Sequence, residues 1–167
     1  AVWLSVAHAM SSAMMRAAVY SASDTEGVKM SSKQRPNRPT SSTVICRVIC
    51  AGVNPVDAKC VAGDKLPDCM QFLVHRAMEE RTVGFDFSGT IESAPEGCKF
   101  RPGEAVMGIM PPVGSKVGTF CDYVQVPINQ IAHKPPSMSF AEAASLPLVG
   151  ITVIQALLHD QHLTSGQ

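Results

Sequence analysis

Short runs of alternating apolar and polar residues, separated by turn residues, occupy most of the chain. The run TVICRVICA, residues 43–51, is the clearest predicted strand because β-branched residues dominate and two faces alternate. MMRAAVY predicts an earlier strand, and the Ser- and Pro-rich segment after it predicts a loop with one short strand near Val28. TVGFDFSGTIESA, EAVMGIM and the two segments flanking Pro127 predict further strands, and Gly84 and Gly89 imply a close backbone approach or a bulge. Short strands separated by turns indicate an all-β barrel or sandwich.

Helical spacing replaces this pattern in two places. PDCMQFLVHRAMEE predicts a short amphipathic helix. In SFAEA, Ser139 and Glu142 form a capping box in which each side chain accepts from the backbone amide of the other. Pro147 then begins a second helix, PLVGITVIQALLHD, which is apolar nearly all round and therefore needs cover on every side. We predict a β domain over residues 15–136 and a helical segment over 137–167.

Apolar stretches near both ends of the chain have some features of targeting or membrane segments. Residues 1–14 contain three serines and no Asp, Glu, Lys or Arg, which is typical of a disordered leader, either an incomplete targeting peptide or a spurious extension. Met15 is an alternative start. The longest apolar stretch, residues 143–158, is interrupted by Pro147 and Gly150 and is shorter than the roughly 17–25 residues that span a bilayer. We expect no membrane span.

Charge and cysteine content narrow the class of protein. The 14 basic and 14 acidic residues balance, so no long-range field recruits nucleic acid or an anionic membrane. The charged fraction of 17% is below the usual value of about 25%, which predicts surface covered by another domain or a partner subunit.

The six cysteines form no CxxC pair and no zinc-spaced cluster, which predicts free thiols in a reducing compartment. We expect a cytoplasmic protein, with a mitochondrial or other organellar location left open by the leader.

Two smaller features concern individual residues. Cys46 and Cys50 stand four apart in a predicted strand, which places both on one face as small buried hydrophobes. The stretch AGVNPVDAKCVAGDK follows the same strand and is crowded with turn formers, so we interpret it as a loop. Asn54 before Pro55 is typical of an Asx turn, and Asp57 would order that turn by accepting backbone N–H groups.

Six motifs in order carry a family resemblance: MRAAVY, AGVNPVDAK, VGFDFSGTIES, FRPGEAVMGI, GTFCDYVQVP and AHKPPSMSFAEAASLPLVGITVIQAL. Together they resemble the zinc-independent quinone oxidoreductase branch of the medium-chain dehydrogenase/reductase family, from about Met15 to Gln167. The resemblance implies a mainly β fold with α: a GroES-like β-barrel domain followed by helices that lead into an absent Rossmann domain. No GxGxxG motif occurs in the 167 residues, so this chain alone should not bind a dinucleotide tightly.

The resemblance also implies an activity and a set of site residues. The full-length protein would use NADPH to transfer hydride to a small apolar quinone or an activated alkene (enone), and it could be a homodimer. Asn54 would be catalytic and would face the nicotinamide, with Asp57, Lys59 and Thr152 as further cofactor-binding residues. The alternatives are a turn-ordering Asp57, a solvent-facing Lys59 and a Thr152 hydroxyl bonded to a carbonyl one turn back.

Zinc is not expected at this site. In the zinc-dependent branch a cysteine stands in place of Asn54, and a His-Glu pair stands in place of Phe85 and Asp86. An amide and a phenyl ring do not supply the ligands that zinc prefers. Two competing hypotheses remain: a non-catalytic barrel module or incomplete gene product that acts through protein contacts, and a zinc-using alcohol dehydrogenase. The residues that choose between NADPH and NADH would lie in the absent nucleotide-binding domain.

Overall fold

The computed structural model describes residues 13–21, 27–62, 80–110 and 117–160. In this part of the chain a 3₁₀ helix, Ile128–Gln130, precedes the last strand, and a π-helical turn, Gln155–Asp160, follows the last α-helix. Residues 1–12 of the predicted leader and residues 67–79 of the predicted helix lie outside the described residues. Met14, the last residue of the predicted leader, begins a strand instead. The elements are β1 (Met14–Tyr20), β2 (Val28–Gln34), β3 (Thr43–Gly52), α1 (Pro55–Ala62), β4 (Asp86–Ser93), β5 (Ala105–Ile109), β6 (Tyr123–Pro127), β7 (Ile131–His133), α2 (Phe140–Ala144) and α3 (Pro147–Ile154).

The strands form two antiparallel sheets. β1 pairs with β2, and the other five strands form a sheet in the order β6-β3-β4-β5-β7. β2 is seven residues long, longer than the short strand predicted near Val28, because every one of its residues pairs with a residue of β1. Pairing therefore extends a polar segment that has little strand propensity of its own. The mainly β architecture with helices toward the C-terminus confirms the predicted fold class.

The core of the larger sheet is built from the residues that alternation placed inward. Phe87, Val106 and Val124 are fully buried in one cluster. Cys46 belongs to that cluster, but Cys50 is only half-buried, because the register of β3 against β4 shifts between Val48 and Cys50. The prediction of a shared buried face for the two cysteines is therefore wrong. The described cysteines are free thiols, as predicted.

The segment interpreted as a loop after β3 begins a helix instead. Pro55 occupies the first position of α1, where a proline is tolerated because the first N–H groups of a helix have no partner within it. Two residues later, the Asp57 carboxylate accepts the Asn54 N–H at 2.7 Å, the backward contact of a capping box. The Asp57 N–H in turn bonds to the Asn54 carbonyl at 3.0 Å. The turn formers are thus the N-terminal cap of α1.

The C-terminal helices begin as predicted. Ser139 Oγ accepts from the Glu142 N–H at 3.2 Å, and the Glu142 carboxylate accepts from the Ser139 N–H at 2.8 Å. Between Leu146 and Leu158, most of the large apolar side chains are 38–55% exposed, whereas Leu148 is half-buried and Pro147 is buried. Among the described residues, no helix has both the length and the apolar character that a membrane crossing requires.

Gly89→Ala should destabilise the fold. A Cβ atom at Gly89 would lie 2.0 Å from the carbonyl oxygen of Arg47 on the neighbouring strand, so β3 and β4 would have to separate beside the bulge. We expect a loss of about 1–3 kcal/mol in the free energy of unfolding, measured in urea, which is typical of forced overpacking. Gly150→Ala is the matched control, because a Cβ there meets no atom within 4 Å and alanine favours the helix by about 0.5–1 kcal/mol. Equal stability of the two variants would contradict the close approach.

Candidate functional site

Asn54 lies between β3 and α1, and its side-chain amide bonds to a residue of β4, the strand that pairs with β3. Gly52 at the end of β3 pairs with Asp86 at the start of β4. This register places the Asn54 Nδ2 atom 2.9 Å from Asp86 Oδ2, and Asn54 is only 8% exposed. The amide is therefore held by a carboxylate that is 32 residues away in the sequence.

Asp86 is the residue of this site that the sequence reasoning missed. It is fully buried, and its second oxygen, Oδ1, accepts from the Leu148 N–H at 2.9 Å. Leu148 lies in the first turn of α3, where Pro147 has no N–H and Leu146 provides no side-chain cap. Asp86 thus caps α3 from a distant strand, and the positive end of the helix dipole favours its charge. The available signal was an acidic residue within the apolar run VGFDFSG, since a buried charge requires partners.

Two buried carboxylates therefore flank Asn54, and burial acts on both. Burial raises the pKa of Asp86, while the Asn54 amide and the Leu148 N–H oppose that shift and the charge of Asp57 adds to it. Burial likewise raises the pKa of Asp57, while the Asn54 N–H lowers it. Asp57 Oδ1 is buried and has no hydrogen-bond partner among the residues that the structure describes. Asn54 is thus bonded through its backbone to one carboxylate and through its side chain to another.

The remaining predicted site residues lie on exposed faces. Lys59 is exposed on α1. Thr152 is exposed on α3, and its hydroxyl donates to the Leu148 carbonyl at 2.8 Å, which is the contact of a helix threonine with the preceding turn. The structure therefore brings Asn54 and Asp57 into direct contact, and Asp86 and Leu148 connect Asn54 to the helix that carries Thr152.

The donor set at the site does not resemble a zinc centre. Phe85 is buried and offers no ligand atom, and the Asn54 amide turns its nitrogen toward Asp86. In the described part of the chain, no three His, Cys, Asp or Glu side chains are grouped so that they could hold a metal ion. The polar chemistry present here is hydrogen bonding by an oriented amide.

An apolar groove of about 380 Å³ lies between α3 and the edge of the larger sheet. Its apolar lining comes from both elements, and Asn129 and Gln130 add polar groups. The volume falls within the range of roughly 300–1,000 Å³ that small-molecule sites occupy. The groove and the amide share the N-terminal turn of α3, since Pro147 lines the groove and Leu148 bonds to Asp86.

Asp57→Asn should reduce the pH dependence of stability. Because the folded pKa of Asp57 is raised above 3.8, the carboxyl group favours the folded state at low pH, and this contribution is lost as pH rises through the folded pKa. Asparagine keeps an oxygen for the Asn54 N–H and carries no charge. We expect Asp57→Asn to be the more stable protein at neutral pH in urea unfolding, with the difference shrinking as pH falls toward 4.

Asp122→Asn provides a control of opposite sign. Arg16 holds the pKa of Asp122 below its usual value, so the wild-type protein should be more stable than this variant at neutral pH and should lose that advantage on acidification. A stability difference between wild type and Asp57→Asn that does not change with pH would contradict the assignment of the buried charge.

Comparison with known proteins gives one family match and several relatives. Residues 40–136 match the family described as alcohol dehydrogenase GroES-like domain. The mitochondrial NAD(P)H oxidoreductase RTN4IP1 of Homo sapiens is 32% identical over 133 residues, which cover 72% of this chain and 33% of that protein. The trans-enoyl reductase fsa3 of a Fusarium species is 30% identical over 141 residues, covering 80% of this chain and 36% of that protein. This chain thus spans about a third of the length of these curated relatives.

The fold is shared with solved structures. The quinone oxidoreductase of Coxiella burnetii superposes with a TM-score of 0.74 at 25% sequence identity. The superposition covers 92% of this chain and 47% of the solved one. Relatives and solved structures therefore agree on an oxidoreductase family.

Proposed function

Because the chain belongs to the alcohol dehydrogenase GroES-like domain family of medium-chain dehydrogenase/reductase oxidoreductases, we propose that it forms the substrate-side domain of an NADPH-dependent enzyme. In this proposal the enzyme transfers hydride to a quinone or an activated alkene without zinc. Residues 15–136 form the catalytic domain, and residues 137–167 lead into the nucleotide-binding domain. The observation that carries the proposal is the buried Asn54 amide, whose Nδ2 donates to Asp86 of β4 at 2.9 Å.

The residues present fit the nicotinamide end of NADPH. A carboxylate only accepts hydrogen bonds, so Asn54 turns Nδ2 toward Asp86 and directs its Oδ1 elsewhere. An amide oriented in this way can accept from the nicotinamide carboxamide and can donate its second N–H to a substrate carbonyl. Lys59 would approach the cofactor phosphates from α1, and Thr152 would add a hydroxyl contact from α3. The cofactor, when bound, supplies the hydride.

The protein contribution to the reaction is orientation and electrostatic stabilisation. The Asn54 amide holds the reactants at a fixed distance and direction, which lowers the entropy cost of bringing them together in the transition state. Its N–H also stabilises the negative charge that develops on the carbonyl oxygen as hydride arrives. The apolar groove beside α3 favours a flat substrate with little charge. No side chain of the site needs to act as an acid, so we propose that solvent delivers the proton.

The test is a turnover assay on the protein encoded by the complete open reading frame. Oxidation of NADPH is followed by absorbance with a benzoquinone and with a cyclic enone, before and after treatment with a chelator. Turnover that survives the chelator supports the proposal. Activity that needs one zinc per chain would identify an alcohol dehydrogenase instead, and the absence of any oxidation would favour a non-catalytic module.

A further inference from the structure

We infer that Asp86 is a positioning residue that sets the orientation of the Asn54 amide and docks the N-terminus of α3 with the same carboxylate. One carboxylate thus serves both the Asn54 amide, through Oδ2, and the first turn of α3, through Oδ1. The catalytic consequence of this inference rests on the proposed function. The orientation of the amide does not, because it can be observed without turnover.

The first argument comes from hydrogen-bond chemistry. An asparagine amide has a donor end and an acceptor end of nearly equal shape, so its orientation is set by its partners. Asp86 receives Asn54 Nδ2 at 2.9 Å on one oxygen and the Leu148 N–H at 2.9 Å on the other. Two donors on two oxygens match an ionised carboxylate, which has no proton to give to an amide oxygen. The donor end of Asn54 therefore faces β4, and its acceptor end faces away from Asp86.

The second argument comes from the start of α3. Pro147 has no N–H and Leu146 contributes no cap, so the Leu148 N–H is the first helix donor that needs an acceptor. Asp86 supplies that acceptor from 62 residues earlier in the chain. If α3 moved away, one oxygen of a fully buried carboxylate would lose its donor, which is costly. The Asp86 carboxylate therefore contacts both the first turn of α3 and the Asn54 amide.

β4 offers a natural comparison two residues further along. Ser88 is also fully buried, and its hydroxyl donates to the Phe140 carbonyl, so it ties α2 to the sheet. This hydrogen bond does not involve Asn54. Ser88→Ala therefore removes a helix-to-sheet hydrogen bond of the same kind without touching the amide, and it is the matched control for Asp86→Asn.

The experiment compares Asp86→Asn with Ser88→Ala by two measurements. Asparagine at position 86 has one oxygen and one NH₂ group. The Leu148 N–H can only donate, so the oxygen should face Leu148 and the Asn54 amide should turn over to present its own oxygen to the NH₂ group. In ¹⁵N-asparagine spectra of this chain, wild type and Ser88→Ala should show a slowly exchanging, downfield-shifted Asn54 Nδ2 proton, and Asp86→Asn should lose it. In the complete protein, Asp86→Asn should lower kcat/KM by up to roughly a hundredfold through misplacement of the amide. Ser88→Ala should leave kcat/KM unchanged.

Each outcome decides the inference. Unaltered Asn54 amide signals in folded Asp86→Asn would overturn it. Altered signals with a wild-type kcat/KM would show that Asp86 orients the amide and would overturn the catalytic consequence alone. If Asp86→Asn does not fold, a trans-hydrogen-bond coupling between Asn54 Nδ2 and the Asp86 carboxyl carbon in the wild-type chain supports the inference, and its absence overturns it. If the wild-type complete protein transfers no hydride, the proposed function fails, while the amide signals still decide whether Asp86 orients Asn54.

Discussion

Asn54→Ala should lower kcat/KM for NADPH-dependent quinone or enone reduction by roughly 10²- to 10³-fold, the usual cost of removing one donor that stabilises a developing oxyanion. Alanine removes both ends of the amide, so neither the nicotinamide nor the substrate carbonyl would be held in place. The measurement is steady-state kinetics of the complete protein. The loss should appear in kcat as well as in kcat/KM, because the donor acts most strongly on charge that exists only in the transition state.

The control for this prediction separates chemistry from folding. Asn54→Ala also takes one donor from the buried Asp86 carboxylate, so some loss of stability is expected. Thermal unfolding of the variant shows what fraction is folded at the assay temperature. Ala58→Ser changes an exposed position of α1 and should behave as wild type. A fall in kcat/KM that only matches the fall in folded fraction would remove Asn54 from the catalytic role.

Phe87→Ala should cost about 3–5 kcal/mol of the free energy of unfolding, as large-to-small substitutions of buried aromatic residues do. Phe87 is fully buried in the core cluster, whose strand residues come from β3, β4, β5, β6 and β7. Its ring lies so close to β5 that a Cβ at Gly108 would stand 3.0 Å from it. Removal of the ring leaves a cavity that the strands of one sheet cannot close without losing their register.

Urea unfolding measures this loss of stability, and two other substitutions serve as comparisons with smaller expected losses. Phe87→Leu keeps most of the buried volume and should cost clearly less. Met30→Ala removes a side chain that is 69% exposed and should change stability by no more than about 0.5 kcal/mol. A Phe87→Ala variant as stable as Met30→Ala would mean that the core is not centred on this ring.

Phe87 also connects stability to the site. It lies between Asp86 and Ser88, whose side chains tie α3 and α2 to the sheet. Successive residues of a strand face opposite sides, so the Phe87 ring points into the core while the Asp86 and Ser88 side chains point toward the helices. The buried ring thus fixes the stretch of backbone that carries both polar side chains. Residual folded Phe87→Ala should therefore show weakened protection of the Asn54 amide as well as lower stability.

Features that depend on a few neighbouring residues were predictable from the chain alone. The capping box of Ser139 and Glu142 spans three residues, and the strand of residues 43–51 is specified by its own β-branched pattern. The six ordered motifs were sufficient to assign the family, and the resemblance singled out Asn54. All of these signals are local in the chain or recur at fixed spacing, so no knowledge of the packing was needed to detect them.

Features that depend on distant partners were not predictable. The strand length of β2 came from its pairing with β1, and the half-burial of Cys50 came from a register shift against β4. In the sequence, Asp86 stood out only because it occupies a position where the zinc-dependent branch has part of a His-Glu pair. In the structure it accepts hydrogen bonds from Asn54 and Leu148. A buried carboxylate takes whichever donors the strand register and helix placement bring within about 3 Å. Those donors lie 32 and 62 residues away, so three-dimensional packing alone could assign them.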